Sequence, residues 1–250
     1  MTSILLCGCC GKMGAAVQRA VAGREDCQIV AGVDPAPAGS CAFPIYDSVE
    51  KVTEDVQVIV DFSHPSCLSP ILAYCRSHPG VAAVLCTTGY SEEQTREIQE
   101  ASKALPLFYS RNMSLGVNLL IELAKKAEAV LGDSFDVEIV EMHHNQKIDA
   151  PSGTALMIAD AINEVRGNEM RYTYDRHAQR KKREKREIGL HSVRGGTIVG
   201  EHQVIFAGQS EVLTLSHSAQ SKELFASGAV NAALFMNGKG PGLYDMSHLI

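Results

Sequence analysis

An α/β fold in two parts is what this sequence predicts: a mostly parallel sheet wound with helices, then an α+β part with a mixed sheet. Three observations predict it. Over the first hundred residues, short apolar runs alternate with helix-forming stretches, as in consecutive βαβ units. Glycines at positions 8, 11 and 14 fall where the first run gives way to the first helix. Beyond Met113 the character changes, and strands of a different rhythm follow from Ile188 onward.

The elements follow in order. Ile4 to Cys7 predicts a buried strand and Lys12 to Ala22 a helix. Gln28 to Val33 is a strand ending at Asp34, and Val56 to Val60 one that closes on Asp61, Phe62 and Ser63. Val81 to Leu85 closes on Cys86, Thr87, Thr88 and Gly89. A Glu- and Gln-rich helix from Ser91 to Ala104 precedes a strand at Leu107 to Tyr109. In the second part, Ser114 to Leu131 reads as an amphipathic helix, Asp136 to Met142 as a strand and Ser152 to about Val165 as a helix. Strands are expected around residues 196–199, at His202 to Ala207 and at Val212 to Ser216. A helix from Lys222 to Met236 then leads into a glycine-rich tail.

Composition narrows the class. A chain of 250 residues with 45% hydrophobic and 21% charged residues can bury a sizeable core. No stretch approaches the ~18 apolar residues of a membrane helix, and the N-terminus lacks the basic lead-in of a signal peptide, so a cytoplasmic location is expected. Eight cysteines in such a chain are expected to be reduced thiols. Cys7, Cys9 and Cys10 cluster, but no second Cys/His pair at ligand spacing follows. They are read as small apolar filler, and no metal is expected. A net charge of −6 gives no reason to expect nucleic acid.

The glycine pattern has a physical reading. It allows a tight turn, close approach of backbone to a pyrophosphate and close packing of helix on sheet, while the helix N-terminus offers unpaired N–H groups. Asp34 lies 20 residues past Gly14, where an acid binds ribose hydroxyls. The first part is therefore read as a Rossmann-type dinucleotide-binding domain. The alternative is a purely structural turn, and Cys10 stands where many such loops carry a second glycine.

The most informative stretch runs from Glu141 to Ala155. A strand ends by presenting His143 and His144, and Lys147 follows closely. Pro151, Ser152, Gly153 and Thr154 then open a helix. Ser152 and Thr154 are suited to capping, and Gly153 lets a ligand reach the backbone. Such a helix start suits a carboxylate, Lys147 adds a full charge, and a histidine carries protons near neutrality. Surface histidines beside an ordinary N-cap are the bland alternative. Zinc through His143 and His144 is disfavoured, because adjacent strand residues face opposite ways.

Six segments then carry a resemblance: residues 8–14, 61–63, 87–89 and 112–118, the His143 to Ala155 string, and residues 194–202. Together, and across essentially the whole chain, they resemble the dihydrodipicolinate reductase family. The resemblance implies NADH- or NADPH-dependent reduction of 4-hydroxy-tetrahydrodipicolinate, a small cyclic dicarboxylate, with loss of water, in the diaminopimelate route to lysine. His143 is then the proton donor and acceptor and Lys147 a second donor, while His144, Ser152, Gly153 and Thr154 hold the substrate. Cofactor contacts fall to Gly8, Cys9, Cys10, Gly11, Lys12 and Met13, and to Asp34. Further contacts come from Cys86, Thr87 and Thr88, and from Ser110, Arg111, Asn112 and Met113. It also implies a homotetramer built through the second-part sheets. The dinucleotide domain is expected over 1–113, completed by 217–250, with 114–216 as the substrate-binding and oligomerisation domain. Another nicotinamide-dependent dehydrogenase of amino-acid metabolism, or a non-catalytic dinucleotide sensor, are the rival readings.

The chain departs from the family pattern at Cys86, where glycine is common, and at residues 176–186. That stretch holds seven basic residues, read either as a solvated loop or as a field steering a dianion. Asp34 bears on cofactor choice, since its carboxylate repels a 2′-phosphate and Pro35 follows where an arginine could compensate. Steady-state kinetics with each cofactor are expected to give kcat/KM for NADH at least equal to that for NADPH. An NADPH advantage beyond about tenfold, roughly 1.4 kcal/mol, contradicts this.

Overall fold

The computed structural model describes residues 1–36, 41–178 and 180–250. The chain divides into two units, Met1–Leu115 with Glu223–Ile250, and Gly116–Lys222.

The first unit is a seven-stranded, all-parallel sheet. Its strands are β1 (Thr2–Cys7), β2 (Cys27–Val33), β3 (Ile45–Tyr46), β4 (Val58–Asp61), β5 (Ala82–Leu85), β6 (Pro106–Tyr109) and β12 (Gly242–Tyr244). They lie in the order β12-β6-β5-β4-β1-β2-β3. Neighbouring residues on each central strand face opposite ways and both faces are covered, which is why these strands are apolar throughout. Ile4, Leu6, Val58, Val60 and Phe108 pack on one side with helices α1 (Lys12–Val21) and α6 (Glu223–Met236). Leu5, Ile59, Ala83, Leu85 and Leu107 pack on the other with α2 (Leu68–Ser77) and α3 (Glu92–Ala101). Ser91 lies just outside α3 as its cap, in a reciprocal box with Gln94.

The second unit holds α4 (Leu115–Leu131), which starts at the boundary, and α5 (Gly153–Val165). Their partner is a five-stranded sheet of β7 (Asp136–His143), β8 (Arg171–Thr173), β9 (Glu187–Arg194), β10 (Gly200–Ala207) and β11 (Val212–Ala219). The order is β11-β10-β7-β9-β8. β7 sits in the middle, antiparallel to β10 and parallel to β9, so the sheet is mixed. Val137, Ile139, Val204 and Phe206 point inward with Ile158 and Ile162 of α5 and Leu120 of α4.

Several expectations are corrected. The strand expected at 196–199 is a turn with Gly196 at φ 49°. The missing strand is β9, which ends just before it. The sequence reading named no element between Ser63 and Val81, where α2 lies. β11 continues to Ala219, so the chain returns to the first unit at Glu223 rather than at 217. The basic stretch is neither simply solvated nor a free field: Arg183 reaches Glu138 at 3.0 Å and Asp136 at 2.9 Å, and Arg176 reaches Glu138 and Glu187, each at 2.7 Å. These arginines staple the loop to acids of β7 and β9.

Closure of the first unit by its C-terminal segment rests on a close approach. A Cβ on Gly228 of α6 would lie 1.7 Å from the Met113 carbonyl oxygen. Gly228→Ala is therefore expected to force α6 off the sheet and cost about 2–4 kcal/mol, read by chemical denaturation.

Candidate active site

In the first unit, the loop after β1 is built by glycine geometry. Gly8 has φ +75°, and a Cβ there would lie 2.5 Å from the Phe62 carbonyl oxygen. A Cβ on Gly14 would meet the Gly8 and Cys9 carbonyl oxygens at 2.3 and 2.5 Å. The loop thus folds onto the start of α1 as tightly as backbone allows, with Gly11 at the helix N-cap. Asp34 follows β2. Its Oδ2 accepts the Cys10 N–H at 3.1 Å and its Oδ1 the Ala36 N–H at 3.1 Å. Lys12 is exposed, Met13 half-buried and Cys9 buried. The cradle a Cβ would fill and the acid beside it fit a dinucleotide pyrophosphate and ribose.

Of the other loops expected near a cofactor, the one after β5 is tied to the end of β4 by Asp61. Burial pushes this carboxyl up, and hydrogen bonds from Ser63, Thr87 and Tyr90 oppose that shift only in part. Thr87 donates at 2.7 Å and Tyr90 at 3.1 Å, joining the ends of β4 and β5. Thr88 is exposed, whereas the Cys86 thiol is buried in the core beneath the sheet. What Cys86 offers outward is therefore backbone. Ser110 bonds the Asn112 carbonyl at 2.9 Å, Asn112 accepts the Ser114 N–H at 2.8 Å, Met113 is buried and Arg111 is exposed.

In the second unit, sheet register assembles the site. Glu141 and His143 are two apart on β7, so both point inward. His202 lies opposite Glu141 on β10, and Arg194 opposite His143 on β9. His143 Nδ1 is 2.6 Å from Glu141 Oε2. Arg194 grips the same carboxylate with both Nη atoms, at 2.8 and 2.7 Å, and the Ser152 N–H donates to it at 3.1 Å. Burial pushes the Glu141 carboxyl up, but these donors overcome it and hold it at about 2. An ionised carboxylate only accepts, so His143 Nδ1 carries the hydrogen and Nε2 is the working nitrogen. Burial lowers the His143 pKa despite Glu141, favouring the neutral imidazole. A Cβ on Gly200 would lie 3.0 Å from Nε2, so glycine there leaves that nitrogen its room.

Ser152 caps α5: its hydroxyl accepts the Ala155 N–H at 3.1 Å and pairs with His202 Nε2 at 3.1 Å. It is 2% exposed, and its hydroxyl is engaged by the helix cap and by His202. Gly153 beside it is exposed, with nothing within 4 Å of where a Cβ would be, and Thr154 is half-buried on the same turn. Lys147 Nζ lies 2.8 Å from Asp149 Oδ1, and His144 is half-buried at the turn after β7. Glu141, Arg194, His202 and Asp61 were not singled out as site residues from sequence. The two-residue spacing of Glu141 and His143 was a usable signal. Arg194 and His202 are brought in only by strand register.

A parallel sheet with a glycine loop and acid, together with a carboxylate-held histidine near a lysine, defines a dinucleotide-dependent oxidoreductase. The comparisons place it more finely. Residues 2–113 match the model of the dihydrodipicolinate reductase N-terminus, and residues 116–250 that of its C-terminus. The 4-hydroxy-tetrahydrodipicolinate reductase of Caldanaerobacter subterraneus subsp. tengcongensis is 49% identical, over 100% of this chain and 98% of its own. That of Clostridium novyi is 45% identical with the same coverage. A dipicolinate-bound dihydrodipicolinate reductase from Paenisporosarcina sp. TG-14 superposes with a TM-score of 0.82 at 27% identity over 100% of both chains. The chain belongs to the dihydrodipicolinate reductase family.

The depressed Glu141 carboxyl stabilises the fold above its ordinary value of 4.5, and that stabilisation is lost as pH falls towards 2. The gap in unfolding free energy between wild type and Glu141→Gln is expected to narrow by about 3 kcal/mol across that window. A pH series of chemical denaturation measures it.

Proposed function

We propose that this chain reduces 4-hydroxy-tetrahydrodipicolinate to tetrahydrodipicolinate, with loss of water, in the diaminopimelate route to lysine. The observation that carries this is the Glu141–His143 pair beside Lys147 and the open first turn of α5, in a chain belonging to this family along its full length. A reduced nicotinamide supplies hydride when bound. The residues from Gly8 to Met13 and Asp34 hold the dinucleotide, with Thr87, Thr88 and the Ser110–Met113 segment beside it, and NADH is used at least as well as NADPH.

The substrate is a dianion, and the donors of this unit match it. The Gly153 and Thr154 turn receives one carboxylate with the positive end of a helix dipole, and His144 and Lys147 add to its hold. That the Paenisporosarcina relative binds dipicolinate supports a flat cyclic dicarboxylate here. Elimination of the hydroxyl with a neighbouring hydrogen gives water and is proton-neutral overall, so hydride addition takes up one proton per turnover. His143 Nε2 supplies it. A bound dianion raises the lowered pKa of this imidazole, loading a proton where it is needed. Lys147 is the second donor, and Ser152 and Glu141 position the machinery.

A homotetramer is proposed through the uncovered face of the second sheet, where Val140, Met142 and Ile205 are half-buried among outward positions. No helix among the described residues is long and apolar enough to cross a membrane, and a cytoplasmic setting accords with a reduced cofactor. NADH oxidation coupled to freshly made product of the preceding synthase tests the activity. His143→Ala and Lys147→Ala are each expected to lower kcat by about two to four orders of magnitude. Near-normal turnover in both overturns the site.

A further inference from the structure

Two thiols in the glycine loop have no part in the reduction. Cys9 Sγ and Cys10 Sγ lie 3.9 Å apart. Both lie within 4.8 Å of a carboxylate oxygen of Asp34. Two thiolates on one tetrahedral zinc, at bonds of about 2.3 Å, sit roughly 3.8 Å apart, so these sulfurs already stand at ligand spacing. The arrangement is held by the loop itself. The Cys10 N–H bonds Asp34, and the Cys9 thiol is wedged against Gly32, where a Cβ would lie 2.7 Å from Sγ. Cys10 and Asp34 are half-buried, so the pair remains reachable from their side. Water completes the coordination of an ion held by these three ligands. Thiolate donors select soft cations, and a carboxylate admits divalent ones.

We propose that Cys9, Cys10 and Asp34 form a site for one thiophilic divalent cation of the zinc–cadmium class, and that its occupation excludes the dinucleotide. The second clause rests on reading Gly8–Met13 and Asp34 as the dinucleotide site. An ion there takes the carboxylate that binds ribose and fills the space at the centre of the loop. Binding displaces the thiol protons, including that of Cys9, which burial has pushed up to about 12.

Cadmium alone, titrated into the reduced, cofactor-free protein, is expected to raise a thiolate charge-transfer band saturating at one equivalent. Cys10→Ala and Asp34→Asn should each weaken binding by about tenfold or more, while Cys67→Ser leaves it unchanged. Excess NADH should abolish the band, and cadmium should raise the apparent Kd for NADH read by fluorescence. No band, or an undiminished affinity in Cys10→Ala, overturns the site. Cadmium and NADH bound together overturn the exclusion. If the metal-free protein does not take up NADH, the reading of the loop falls and exclusion falls with it, while the Cys10 and Asp34 variants still decide the cation site.

Discussion

One buried carboxylate, that of Glu141, organises the chemistry of the second unit. Putting a charge where no solvent reaches costs several kcal/mol unless its oxygens are fully engaged. Here they are engaged by three separate stretches of chain: Arg194 from β9, His143 from β7 itself and the Ser152 N–H at the head of α5. Arg194 also reaches the Asp149 carbonyl at 2.6 Å, which anchors the connection from Lys147 to α5. One acid therefore sets the tautomer of the histidine, the start of the helix and the path of the loop joining them. Ser152 extends the network to His202, whose ring meets that of His143 edge-on at 5.3 Å. Burial lowers the His202 pKa to about 4, so its imidazole joins this network uncharged near neutrality.

The first unit uses the same device. Asp61 ends β4 as Glu141 nears the end of β7, and its buried carboxylate ties down residues from two neighbouring loops. In parallel sheets, ligands bind beyond the carboxyl ends of the strands, so the loops that need fixing are the ones these acids reach. The two acids differ in balance. Arginine and histidine hold Glu141 far below its ordinary range, whereas Asp61 has only hydroxyls and one N–H, and burial prevails.

What was legible in the sequence was whatever repeats locally. The strands of the first sheet are read as short continuous apolar runs, and α1, α3, α4, α5 and α6 from helical patterning and from a cap such as Ser152. The glycine loop was legible because a turn that admits no Cβ demands glycine at fixed offsets. The His143 to Thr154 string was legible because its donors lie within twelve positions. The remainder depends on partners far along the chain. Arg194 meets Glu141 from 53 residues away, and His202 meets Ser152 from 50. The staples at Arg176 and Arg183 look like a bare charge run until Asp136 and Glu138 are set beside them. Strands of two or three residues, such as β3, β8 and β12, are too short to show any period. Which face a side chain takes is likewise hidden, as at Cys86, whose thiol belongs to the core.

The route of the chain also has a consequence for how the protein is made. α6 and β12 leave the ribosome only after the whole second unit, yet α6 covers one face of the first sheet and β12 pairs with the edge of β6. Until they emerge, a nascent chain holds Ile4, Leu6, Val60 and Phe108 under an incomplete roof, with β6 an unpaired edge. Synthesis of the whole second unit falls within that interval. The nascent polypeptide thus carries an exposed apolar face and an open strand for as long as about a hundred residues take to translate, several seconds or more at ordinary elongation rates, which is the condition under which holding chaperones act.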